Sequence, residues 1–153
     1  MLAQAITSFI SSVAFGFIFN IPKNLLIRCG LIGMVSWLLY YGLYSNKVNV
    51  ILATFVGAFT VAIVSQFFAR IYKTPMIVFS VSGIIPLVPG GMAYDAMRHF
   101  VTNDYNMAIE LAAKAFMLSG AIAFGLIISE VLNQLYRKIR ELTQKSKVKA
   151  NKI

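Results

Sequence analysis

A chain of 153 residues that is 59% hydrophobic, 12% charged and 13% aromatic, with a mean hydropathy of +0.77, excludes an ordinary soluble domain, whose apolar share is about half and charged share about a quarter. The net charge of +9 would suit nucleic acid, but the basic residues lack interleaved aromatic platforms and point to membrane topology and anionic lipid instead. One cysteine, Cys29, and one histidine, His99, exclude an internal disulfide and a multi-ligand metal site, and no cofactor is expected.

A helix needs roughly 20 mostly apolar residues to cross about 30 Å of hydrocarbon. The first candidate span covers 3–20; without a basic leader or a small-residue cleavage site it reads as a retained span rather than a signal peptide. The second covers 29–45 after Arg28, and the third covers 48–69 between Lys47 and Arg70. The fourth covers 75–101 and is broken over 86–91, and the fifth covers 107–132 with Glu110, Lys114 and Glu130 inside it. The reading is an all-α integral membrane protein: a five-span domain, 1–135, with connectors too short to hold a soluble domain, then a basic tail, 136–153.

Lysine and arginine collect at cytoplasmic ends of spans. With the N-terminus outside and the C-terminus cytoplasmic, Lys23, Arg28, Arg70, Lys73, Arg137, Lys138, Arg140, Lys145, Lys147, Lys149 and Lys152 fall inside, and only Lys47 and Arg98 fall outside. Small residues at intervals of four, Ser12 with Gly16, Ala53 with Gly57, and Ala121 with Gly125 and Ser129, read as seams where backbones approach. No enzyme is expected. A triad from Ser80 or Ser82, His99 and Asp95 lacks a nucleophile elbow, and Asp95 and His99, four apart on a helix, would pair with each other.

The fourth span raises a sharper question. Proline inside a helix removes a donor and clashes with the carbonyl four residues back, and glycine weakens a helix by about 1 kcal/mol. Counted from Met76 at about 1.5 Å per residue, Pro86 lies about 15 Å deep, at the midplane. Pro86 is expected to free the carbonyl of Ser82, Pro89 that of Ile85, and Gly90 and Gly91 to take angles other residues avoid. A second half-helix from Met92 to about Val101 would then aim unpaired N–H groups at an anion, the device of transporters with discontinuous helices. The site reading is Pro86, Pro89, Gly90, Gly91 and Tyr94 around a solute carboxylate, with Lys114 facing it and Asp95 or Glu110 carrying a coupling proton. Glu110 and Lys114 also have the spacing of an intrahelical pair near the outer interface, and Asp95 that of a solvated helix face. A structural or assembly subunit is the alternative function, though it gives no reason for the break.

Two stretches, "FGFIFNIPKNLL" at 15–26 and "IIPLVPGGMAYDAM" at 84–97, resemble the signature regions of the small, YjjB-like half of the ThrE-type threonine/serine exporters. The more specific pattern comprises Pro86, Pro89, Gly90, Ala93, Tyr94, Ala96 and Met97; Phe19, Asn20, Ile21 and Pro22 form the weaker one. The resemblance implies export of small carboxylate-bearing solutes, threonine and serine or succinate, across the bacterial cytoplasmic membrane. It also implies a partner, a second five-span half with a polar cytoplasmic leader; a homo-oligomer is the other way to complete the cavity. A partner that starts in the cytoplasm would end outside after five crossings, where this chain starts.

Overall fold

The computed structural model describes residues 2–150, with side chains for 2–140, so the side chains of Lys145, Lys147 and Lys149 and all of Lys152 lie outside the described residues. Among them the fold is all-helical: α1 (Leu2–Ile18), α2 (Lys23–Ser45), α3 (Val50–Tyr72), α4 (Ile77–Ile84), a 3-10 turn (Ile85–Leu87), α5 (Gly90–Val101) and α6 (Tyr105–Ala150).

Four helices stop the same way. Asn20, Lys47, Lys73 and Asn103 take positive φ, and the next N–H turns back to a carbonyl five residues earlier: Ile21 to Gly16, Val48 to Leu43, Thr74 to Ala69 and Asp104 to His99. These left-handed caps satisfy orphan carbonyls and reverse the chain within a few residues, which is why such short connectors suffice. Asn20 and Pro22 thus mark the end of one helix and the entry to the next.

Helix limits differ from the sequence expectation. α2 starts at Lys23 rather than near 29, and α3 runs on to Tyr72, because a basic residue marks a membrane boundary without ending a helix. Arg28 is held in place by the Asn24 carbonyl and by the Tyr72 ring, 4.1 Å from the guanidinium carbon. α6 continues through the position where a separate tail was expected to begin. Three helices, α2, α3 and α6, are long and apolar enough to cross a membrane, and the bent pair of α4 and α5 makes a fourth if counted as one. α1 is apolar but has only 17 residues.

α2 packs on α1, α3 and α4, while α3 also carries α6. Leu25, Cys29, Ile32, Val61 and Phe79 form the centre, and the expected small-residue seams are all buried. Serines and a threonine fill much of the interior: Ser12, Ser36, Ser65, Ser82 and Thr54 are buried, whereas Leu31, Val35, Ile63 and Phe67 face outward. Polar-in, apolar-out is how helices associate in lipid, where burial of hydrocarbon gives no preference for helix contact.

α3 and α6 run parallel in a fixed register. Gln66 donates to the Ser129 carbonyl at 3.1 Å and Arg70 to Asn133, an offset of 63 in both cases. With Gly125 against Phe55 and Phe59, and Val50 beside Lys114 and Met117, the start of α6 overhangs α3 by about two to three turns. α5 packs on α6, and the groove between them is lined by Ala93, Ala96 and Met97 on one side and Ala108, Ala112 and Ala115 on the other.

Candidate functional site

After Ile84 the chain tightens into the 3-10 turn, extends at Val88 (φ −64°, ψ 128°), and resumes as α5, whose axis is bent by 52° from the preceding segment. The two neighbouring helices pin the turn. A Cβ added to Gly33 of α2 would fall on Ser12 of α1 and 3.4 Å from Pro86 Cγ, and one added to Gly57 of α3 would lie 3.2 Å from both Leu87 methyls. The closeness of Ser12 requires glycine at 33, whereas at 57 the Leu87 methyls would have to give by a few tenths of an ångström.

Several expectations for the break need correction. The Ile85 carbonyl is not freed by Pro89, because the Val88 N–H takes it at 3.3 Å when the chain tightens. Gly90 and Gly91 adopt no positive φ, and α5 begins at Gly90 rather than Met92. Both glycines sit in its first turn, where a Cβ would meet nothing within 4 Å. The Gly90 N–H bonds the Val88 carbonyl at 2.8 Å, and the first full helical bond runs from Ala93 to the Pro89 carbonyl at 3.1 Å. The N–H groups of Gly91 and Met92 therefore have no acceptor within the helix. Asp95 does not pair with His99: it bonds Arg98 at 3.4 Å, and His99 bonds Asp104 at 3.2 Å, because Asp104 folds back beneath the last turn of α5.

Of the expected binding residues, Lys114 and Pro86 line two separate cavities, and Pro89, Gly90, Gly91 and Tyr94 line neither of them. Lys114 lines one of about 320 Å³ with Asn49, Val50, Met92 and Met117, which brings it to the first turn of α5. Its ammonium bonds Glu110 at 2.6 Å, the intrahelical pair expected from the spacing, with both side chains more than half exposed. Pro86 faces the other way, into a recess of about 200 Å³ lined by Gln4, Thr7, Ser8 and Ser11 of α1 and Trp37 of α2. Tyr94 is 70% exposed on α5. No group of three or more metal-ligating side chains occurs among the described residues.

The α1 contribution was not anticipated beyond Ser12. Its signal was present: Gln4, Thr7, Ser8 and Ser11 repeat at intervals of three and four on an otherwise apolar helix, a polar stripe that lipid would not favour. Trp37 carried no comparable signal.

No solved structure matches the chain. A family model described as threonine/serine exporter, ThrE, matches residues 4–132, from the polar stripe of α1 to the segment of α6 that packs on α3. The chain is a membrane protein of several apolar helices with an interrupted, polar-flanked turn at its centre, and it belongs to the ThrE threonine/serine exporter family, a family of transporters.

Proposed function

We propose that this chain exports small carboxylate-bearing solutes, threonine and serine or a dicarboxylate such as succinate, across the bacterial cytoplasmic membrane, working as one half of a secondary transporter. The observation that carries the reading is the break at Val88 and Pro89, which leaves the Gly91 and Met92 N–H groups open beside the Lys114 cavity. A helix N-terminus carries about half a positive charge, and interrupted backbone within a membrane requires a protein-walled or watery surround. Pro86, Pro89 and the two glycines shape that end, Tyr94 gates it, and Lys114, level with the first turn of α3, draws the carboxylate to its rim.

Five spans are part of the proposal: α1 crosses despite its length, and the bent pair crosses as one. The end bearing Lys47 then faces outside and the end bearing Lys23, Arg70 and Lys73 faces the cytoplasm, in keeping with the charge bias. A cysteine placed at Asn46 is expected to react with an impermeant reagent from outside, while a reporter after Ile153 stays cytoplasmic. Labelling of Asn46 only from the cytoplasm would overturn both the span count and the orientation.

A second subunit of five spans with a polar cytoplasmic leader, or a second copy, completes the cavity wall. Asp95 and Glu110 are the coupling candidates; each is ion-paired, to Arg98 and Lys114, so proton uptake at either would release its partner. Efflux of labelled threonine, serine and succinate from loaded vesicles tests the function across pH. Lys114→Met is expected to slow efflux roughly two- to fivefold, the worth of one exposed charge contact, without loss of insertion. Asp95→Asn or Glu110→Gln should shift the pH profile. No efflux from the chain, alone or with its partner, would favour a structural subunit.

A further inference from the structure

The recess behind Pro86 has a hydrogen-bonding character opposite to that of the α5 N-terminus. Its donors are largely committed: Thr7 Oγ1 donates to the carbonyls of Ala3 and Gln4 at 2.9 and 3.1 Å, Ser8 Oγ to Ala5 at 3.0 Å, and Trp37 Nε1 to the Gln4 side-chain oxygen at 2.9 Å. A hydroxyl that donates keeps lone pairs with which to accept. Thr7 and Ser8 therefore offer acceptor oxygens, Ser11, which makes no hydrogen bond among the described residues, can donate or accept, and the amide nitrogen of Gln4 is the other uncommitted donor. One turn along α1 from Ser8, the Ser12 hydroxyl is fully buried beside Gly33 and Pro86 with no partner, a costly arrangement for a polar atom away from water. No charged side chain lines the recess.

We propose that this recess is a binding subsite for a donor-bearing head group, a hydroxyl or an ammonium, of a small solute. A bare carboxylate finds no cation there and only the Gln4 amide and the Ser11 hydroxyl as donors; a hydroxyl or ammonium finds the acceptor oxygens of Thr7, Ser8 and Ser11. At about 200 Å³ the recess admits a few heavy atoms rather than a large ligand. With a carboxylate held at α5, the same solute would present its opposite end here, on the other face of the 3-10 turn. The subsite thereby separates hydroxy- and amino-acids from dicarboxylates. Its physiological solute rests on the exporter reading; its existence does not.

Trp37 lines the recess and is the sole tryptophan of the chain, so its fluorescence reports on this site alone. The full chain in nanodiscs is titrated with L-serine, L-alanine, L-lactate and succinate. Saturable change is expected with serine and not with succinate; a response to alanine but not lactate assigns the ammonium, and the reverse assigns the hydroxyl. Thr7→Val and Ser11→Ala, which remove acceptors while keeping most of the volume, should each weaken serine about fivefold, the worth of one hydrogen bond. Silence towards every donor-bearing solute, an equal response to succinate, or unchanged serine affinity in both variants would overturn the subsite. Vesicle efflux with a silent Trp37 defeats the subsite and leaves the exporter reading standing, whereas a Trp37 response without efflux does the opposite.

Discussion

Replacing Gly125 by alanine is expected to force α3 and α6 apart and to cost about 1–3 kcal/mol of stability, the usual range for overpacking. The added Cβ would stand 2.9 Å from the Phe55 carbonyl oxygen and 3.1 Å from the Phe59 nitrogen. Both are backbone atoms of α3, which cannot rotate away as a side-chain tip can. Separation would also strain the bonds from Gln66 to Ser129 and from Arg70 to Asn133 further along the pair. Gly120→Ala is the control, since a Cβ there meets nothing within 4 Å and alanine favours helix by about 1 kcal/mol. Thermal melting in detergent separates the two variants. Equal melting temperatures would mean that α3 and α6 do not pack at Gly125 as described.

Gly90→Ala and Gly91→Ala are expected to reduce efflux at least tenfold while leaving the amount of inserted protein unchanged or slightly higher. Neither glycine has a backbone angle that alanine avoids, neither has a neighbour within 4 Å, and both lie in the first turn of a helix. Within the chain, then, alanine is tolerated at both positions. A loss of export would come from something above that helix end which the methyl displaces: a carboxylate on the Gly91 and Met92 N–H groups, or a partner backbone closing over it. Wild-type efflux in both variants would remove the helix N-terminus from solute recognition.

Much of the architecture was legible because lipid imposes simple rules. Uncharged runs located the helices without fixing their ends, and spacing of four exposed the seams at Ser12, Gly57 and Gly125, since backbone proximity requires small side chains. Pro86, Pro89 and the glycine pair lie at the bend between α4 and α5, because a local chemical cause has a local signature. What was not legible in the sequence depended on tertiary neighbours. The fate of the Ile85 carbonyl turned on the 3-10 geometry, and the choice of Arg98 rather than His99 by Asp95 turned on Asp104 occupying the histidine. Charge had placed Lys114 within a span, whereas the register of α6 against α3 brings it level with the helix start at Val50. The recess around Pro86 is assembled from three separated segments, so only the α1 stripe could have hinted at it.

The overhang of α6 gives this helix the mechanics of a lever. Gly125 lies against the α3 backbone and would serve as a fulcrum, and Tyr105 lies 20 residues away, an arm of about 30 Å. A rotation of about 10° there would carry the α5–α6 tip through about 5 Å, while Pro86 and Leu87 stay clamped against α2 and α3. The ring of Pro89 fixes its own φ, so such a stroke is absorbed by the torsions of Val88 and the ψ of Pro89. A small tilt at one glycine would thereby be amplified into a displacement as large as a solute carboxylate.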